Sequence, residues 1–474
     1  QEKKANNDLT MWRLTSNLIN TALVVLLILG VILYIAMPHI MVAFVGGVGG
    51  WDAEKVKATV SLARILLLSP FCFAVSYILG GVLNANKKFF SYSLAPLVYN
   101  ASIIIGGAIS SIWGLKAVAW AVVIGALGHA LVQVPALSSV GFRYYPVINW
   151  RDKDLRRIIT LMIPRSISLG MAQFVLNAFT RLAAFLPAGS LAIYSLTNNF
   201  QTAPLAIFAA SIATAVFPML GSSLAHNKKD DFRLYLTESL KAVCFYMIPS
   251  TVMLWVLRAH LIRIYIAFNH HQTWTNTIRA IDTFGWLILA LVAQGVVLVI
   301  IRAYYSHNNT RTPMFVSLAS GALIVVLGFT FIRSAGTLAD VPLLAMAFVA
   351  GTVIEAIMLV WLFNRQYPRL IDFKSWGESV LFTTIAAIGA GVLARLSLSV
   401  VSEGLFTDTS GLETTTVLHL FTALAVAGVL GAIVYVGLAY LFQRGELAWL
   451  WPKRAVKSVV LPDTEEIASD EGIA

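Results

Sequence analysis

The chain has 474 residues, 58% of them hydrophobic and 12% charged, against about 25% charged in a soluble domain; this excludes a water-soluble fold of such size. Its formal net charge is +11. The basic residues sit in short loops between apolar runs, not on a polar face, which points away from nucleic acid and towards orientation in a membrane. The two cysteines, Cys72 and Cys244, fall inside apolar runs and read as small buried residues, not as a disulfide framework.

The chain opens at Gln1-Glu2-Lys3-Lys4, with no initiating Met, apolar signal core or cleavage site, and reads as starting inside a longer protein. A helix crossing hydrocarbon needs about 20 predominantly apolar residues, because its backbone must satisfy itself. Such runs are predicted at 14–38, 59–84, 92–113, 116–140, 160–186, 191–222, 234–258, 280–305, 314–333, 342–363, 377–400 and 416–442. The expected fold is all-α and polytopic, with about 12 transmembrane helices and both ends on one side. One set of loops and ends carries 21 cations, among them Lys87, Lys88, Arg151, Lys228 and Arg311, and the alternate set carries 6. By the positive-inside rule both ends are expected in the cytoplasm.

Four helices lie in 1–150 and six in 151–375, with two more in 376–442 and a cytoplasmic tail over 443–474. The tail from Pro462 onward is rich in Asp and Glu and is expected to be disordered. The linker around 141–159, with Tyr144, Trp150 and Arg151 to Arg157, has the spacing of an amphipathic interfacial segment. Pro70, Pro96, Pro135, Pro164, Pro204, Pro218 and Pro249 fall in or beside helices and are expected to kink several.

Charge inside a bilayer is costly and marks cavities, ion pairs or helix ends. Lys241, Glu238, Asp282, Arg165 and Arg302 lie near predicted helix ends and suit snorkelling; Arg64, Arg181 and Glu355 lie deeper. An anionic diphosphate would need fixed cations, whereas ion coupling would need a carboxylate such as Glu355. Asn198, Asn199 and Gln201 place three amides in one turn ahead of Pro204, with Gln173 and Asn177 in the preceding helix. Amides there either join helices or line a wet cavity. The candidate cavity set is Arg64, Arg181, Asn198, Asn199, Gln201, Arg302 and Glu355. No catalytic residue is assigned: the chain has no phosphate-cradling loop, no HExxH and no Cys/His cluster. His270-His271 lies in a predicted loop and reads as surface. No metal or cofactor is expected.

The run Arg302-Ala303-Tyr304-Tyr305-Ser306-His307-Asn308-Asn309-Thr310-Arg311-Thr312-Pro313 resembles the RAFYAxxDTRTP stretch of the lipid II flippases, the MurJ or MviN family. Leu79 to Ala85, Ala95-Pro96 to Tyr99-Asn100, Gly125 to Pro135, Leu161 to Arg165 and Asn198 to Pro218 support the match in order. The resemblance covers about residues 10–375. It implies fourteen helices, in two lobes of six plus two, that flip undecaprenyl-diphosphate-linked peptidoglycan precursor by alternating access. Against that plan the four-plus-six-plus-two grouping makes 1–150 a partial N-lobe without the first two helices, which in the family carry most of the cavity arginines. Asn199 stands where many relatives carry an arginine, and Asn309 stands for the signature aspartate. Arg181 stands where relatives have an apolar residue, and is read as a replacement cation.

The resemblance thus implies a non-enzymatic flippase with lipid II or a related polyprenyl-diphosphate-linked substrate as partner. Membrane lipids and a coupling ion or the membrane potential complete the expected partners; no nucleic acid is expected. The alternatives are an exporter of another polyprenyl-linked glycan or small molecule, and a non-transporting membrane scaffold.

Overall fold

The structure is a computed structural model that describes residues 2–45, 53–86, 88–187, 189–267, 274–404 and 417–442. Lys87, His270-His271 and the 443–474 tail lie outside the described residues. Helix is the only regular structure among the described residues, and twelve helices are long and apolar enough to cross a membrane. They are α1 (Thr10–Val42), α2 (Ala53–Asn84), α3 (Phe90–Trp113), α4 (Leu115–Ser139), α5 (Lys153–Leu182), α6 (Ser190–Ala225), α7 (Lys229–Tyr265), α8 (Trp274–Ser306), α9 (Arg311–Leu338), α10 (Pro342–Gln366), α11 (Phe373–Val401) and α12 (Leu418–Leu441). Each predicted run coincides with one of them to within seven residues at either end, because hydropathy over a span-length window is a local property.

The chain divides into two compact units, Gln1–Ile163 and Pro164–Ala474. In the first, α3 packs along α4 through small residues. A Cβ on Gly106 would fall 2.2 Å from that of Ala121, so glycine permits that backbone approach. Two helices of this unit break just before a proline: α2 at Leu67–Leu68 ahead of Pro70, and α4 at Val132–Gln133 ahead of Pro135. Proline removes a backbone donor and restricts the residue before it.

The linker around 141–159 is helical only in its later part. Residues 142–149 are not helical, and helix resumes at Lys153. Their backbone is held by buried polar side chains of α1 instead. Asn17 donates to the Asn149 carbonyl at 3.1 Å and accepts from its N–H at 2.8 Å. Asn20 donates to the carbonyls of Tyr145 and Val147, while the Tyr145 N–H donates to Ser16 Oγ. These side chains satisfy backbone groups that have no helical bonds of their own.

In the second unit α7 is the centre, packed by α6, α8, α11 and α12. Its Leu236, Leu240, Val243, Phe245 and Met247 are fully buried, as expected of a helix apolar on all sides. The last two helices belong to this unit. The Tyr435 hydroxyl donates to the Phe245 carbonyl at 2.6 Å, and Gly391 and Gly431 let α11 and α12 approach Val252 and Met253. Pro96, Pro164, Pro218 and Pro249 lie within continuous helix. At Pro204 the helix widens into a π turn over Leu205–Ala209, a feature often found at functional positions.

Candidate substrate and ion sites

Residues of α5, α6, α8, α9 and α10 line a half-open, largely apolar chamber of about 370 Å³ in the second unit. Glu355 on α10 reaches into it and accepts a hydrogen bond from Ser317 Oγ on α9 at 2.8 Å. Asn198, Gln173 and Gln294 contribute amides, and Ser320 and Thr352 hydroxyls. Gln294 Nε2 is buried without a hydrogen-bond partner among the described residues. The π turn begins at the chamber wall, since Thr202 and Leu205 line it. Its lining holds one carboxylate and no Lys or Arg, so it suits a small cation or a proton, not an anionic headgroup.

Cationic groups lie elsewhere. In the first unit Arg64 lines a cleft of about 660 Å³ between α1, α2 and α4, together with Lys57, Ser61 and Trp120. Its Nε donates to the Tyr34 carbonyl at 3.2 Å, and the guanidinium lies 4.3 Å from the Tyr34 ring centroid, which leaves donors for an anion. Lys57, Ser61 and Arg64 occupy positions i, i+4 and i+7, one face of α2. In the second unit Arg302 lies over Phe217 at 5.7 Å, and Arg165 over Tyr305 at 5.5 Å; the two guanidiniums feel each other's charge.

Of the seven sequence candidates, then, the structure brings Asn198 and Glu355 into one chamber. Arg64 lines its own cleft, and Arg302 sits beside Arg165. Asn199 is exposed and does not line the chamber. Gln201 is buried, with neither amide atom hydrogen-bonded, and is also outside the lining. Arg181 stands in the last turn of α5, exposed and outside the chamber.

Ser317, Gln294 and Thr352 were not singled out by the sequence, because one small polar group in an apolar helix is a weak signal. Likewise missed was a buried polar cluster in the first unit. There Ser76 Oγ lies 2.6 Å from His129 Nδ1 and accepts from Gln133 Nε2 at 2.5 Å.

The signature segment is built as a joint. Tyr304 is fully buried and donates to the Leu359 carbonyl at 3.2 Å; Asn308 takes the left-handed conformation, with φ of 56°. Asn309 accepts from the Thr312 N–H at the start of α9 and donates to Gln366 Oε1 of α10 at 3.0 Å. The segment therefore ties the ends of α8, α9 and α10 together. The sequence model of the lipid II flippase MurJ family matches residues 1–409.

The chain belongs to that family. It is a multi-pass inner-membrane protein of a transporter family. It is 26% identical over 401 residues to the probable lipid II flippase MurJ of Bdellovibrio bacteriovorus, covering 82% of this chain and 72% of the relative. To the probable lipid II flippase MurJ of Rhizobium meliloti it is 23% identical over 473 residues, 97% and 84% of the two chains. Among solved structures it resembles a lipid II flippase MurJ in an inward closed conformation, with a TM-score of 0.67 at 22% identity over 91% of this chain and 84% of that one. An outward-facing MATE multidrug transporter gives 0.58 at 16% identity, over 75% and 83%. These likenesses show the shared fold.

Proposed function

We propose that this chain moves lipid II, the undecaprenyl-diphosphate-linked peptidoglycan precursor, between leaflets of the cytoplasmic membrane by alternating access. The observation that carries the reading is the family match along residues 1–409. In this reading the protein makes and breaks no covalent bond. Arg64 with Lys57, and Arg302 with Arg165, supply the cations that a diphosphate requires. Two units of packed helices supply bodies that can rock.

The chamber around Glu355 is the coupling site. A carboxylate held by one hydroxyl and faced by amides can exchange a proton or a small cation for its partners. Both ends of the chain face the cytoplasm, which the 21-to-6 cation bias supports.

The test is an assay of lipid II accessibility at the outer leaflet, in cells depleted of their own flippase and expressing this chain. Restored accessibility is expected, with loss in Arg64→Ala and Arg302→Ala. Correctly inserted protein that restores none would sink the reading; export of a different polyprenyl-linked glycan in the same cells would replace the substrate.

A further inference from the structure

A second cleft in the Pro164–Ala474 unit carries charge that the transport reading does not use. It lies between α7, α8 and α11, has a volume of about 540 Å³, and is lined by Arg258 and Arg395. Arg258 feels the charges of Arg395 and of Asp282. Among the described residues, none of the three forms an ion pair within contact distance. Among the described residues the two guanidiniums, with Arg263 a third cation nearby, outnumber the one carboxylate and leave excess positive charge at the mouth of an apolar cleft, a costly arrangement beside hydrocarbon.

Depth along the helices says what could balance it. α7 has 37 residues and is about 55 Å long, against a hydrocarbon core of about 30 Å, so roughly 12 Å at each end lies among headgroups. Arg258 is seven residues, about 10 Å, from the Tyr265 end, and Arg395 is six residues, about 9 Å, from the Val401 end. Arg258 thus lies at the headgroup side of the hydrocarbon edge, whereas the 29-residue α11 leaves about 7 Å at each end, so Arg395 starts about 2 Å inside that edge, within reach of the phosphates by snorkelling. Below them the cleft is apolar: Val252, Val256, Ile388 and Val392 line it towards the bilayer middle.

The arginines are positioned, not loose. Arg258 stacks on Trp255 at 4.2 Å, donates to the Trp255 carbonyl, and lies across the backbone of Gly285, where a Cβ would come within 3.1 Å of Arg258 Cδ. Gly391 leaves room for α7 and α11 to close the floor, since a Cβ there would meet Val252 at 2.5 Å.

The geometry points to a binding site for an anionic glycerophospholipid, its phosphodiester held between Arg258 and Arg395 and one acyl chain lying along the α7–α11 floor. A phosphodiester carries one negative charge and two free oxygens, which suit the excess positive charge and the two guanidinium donors. This inference stands independently of the proposed substrate.

The test is native mass spectrometry of the solubilised full chain titrated with phosphatidylglycerol or phosphatidylcholine. Phosphatidylglycerol is expected to be retained in preference, and Arg258→Gln or Arg395→Gln to weaken it roughly tenfold while leaving phosphatidylcholine unchanged. Gly285→Ala is expected to weaken it by displacing Arg258. Asp282→Asn is expected to tighten it, a direction that misfolding cannot produce. Unchanged phosphatidylglycerol binding in the folded double arginine variant, or no gain in Asp282→Asn, would overturn the site. So would Arg258-dependent capture of undecaprenyl diphosphate without capture of phosphatidylglycerol.

Discussion

Ser317 on α9 donates its hydroxyl hydrogen to Glu355 on α10 across 2.8 Å, and so orients the carboxylate of the chamber. Glu355→Gln keeps the shape and a hydrogen-bonding partner for Ser317 but cannot change charge. The expected outcome is a folded protein whose lipid II translocation is lost or no longer responds to the ion gradient. Ser317→Ala removes the orienting donor, at a cost of about 1 kcal/mol in stability, and should reduce translocation less. Outer-leaflet lipid II measured with and without a sodium or proton gradient separates the two variants; a fully active Glu355→Gln would remove Glu355 from the coupling role.

Gly351 faces Ile324 so closely that an added Cβ would fall 2.1 Å from Ile324 Cγ1. Both are buried where α9 meets α10. Gly351→Ala should therefore destabilise by about 1–3 kcal/mol through overpacking. Adding Ile324→Ala should recover part of that loss, since contacting sites do not add independently. Thermal unfolding of the three variants in one detergent checks both statements.

Asn309 is expected to tolerate aspartate. Its Oδ1 accepts from the Thr312 N–H, which aspartate would do at least as well at a helix start, while Gln366 can turn its own amide to donate. Asn309→Asp should stay within about 0.5 kcal/mol of the parent. Asn309→Ala, which leaves the α9 start uncapped, should cost about 1 kcal/mol. An aspartate variant less stable than the alanine variant would contradict this account.

His307, in the turn between α8 and α9, is packed against Phe232, Phe363 and Tyr367, with the Tyr367 ring centroid 4.0 Å away. Burial pushes its pKa below the ordinary imidazole value, opposed by a hydrogen bond to the Ala303 carbonyl. The folded protein thus holds the neutral ring, and the unfolded chain takes up the proton first. Stability from this group is complete above about pH 6.5 and declines as pH falls from there towards the lowered value. In unfolding experiments across that window the parent should lose more stability than His307→Phe. Equal losses would show that His307 does not set the dependence.

Much of the architecture was legible because it depends on additive local properties. Each of the twelve spans is an apolar window, and the breaks before Pro70 and Pro135 follow from the ring of one residue. The helix-like spacing of Trp150 to Arg157 is matched by helix from Lys153, but the path of the linker ahead of it was not legible. The backbone just before it is claimed by Ser16, Asn17 and Asn20, more than a hundred positions away.

The candidate sites divide along the same line. By itself the sequence determined an all-helical membrane chain and, through Arg302 to Pro313, its resemblance to one transporter family, because hydropathy and a contiguous motif need no knowledge of packing. Only the tertiary structure decided that Asn198 and Glu355 share a chamber while Asn199 faces away and Arg181 ends a helix. Helices that are apolar nearly all round carry no stripe to mark which face turns inward. Their rotation is set by side chains and glycines on neighbouring helices, and with it the company each polar residue keeps.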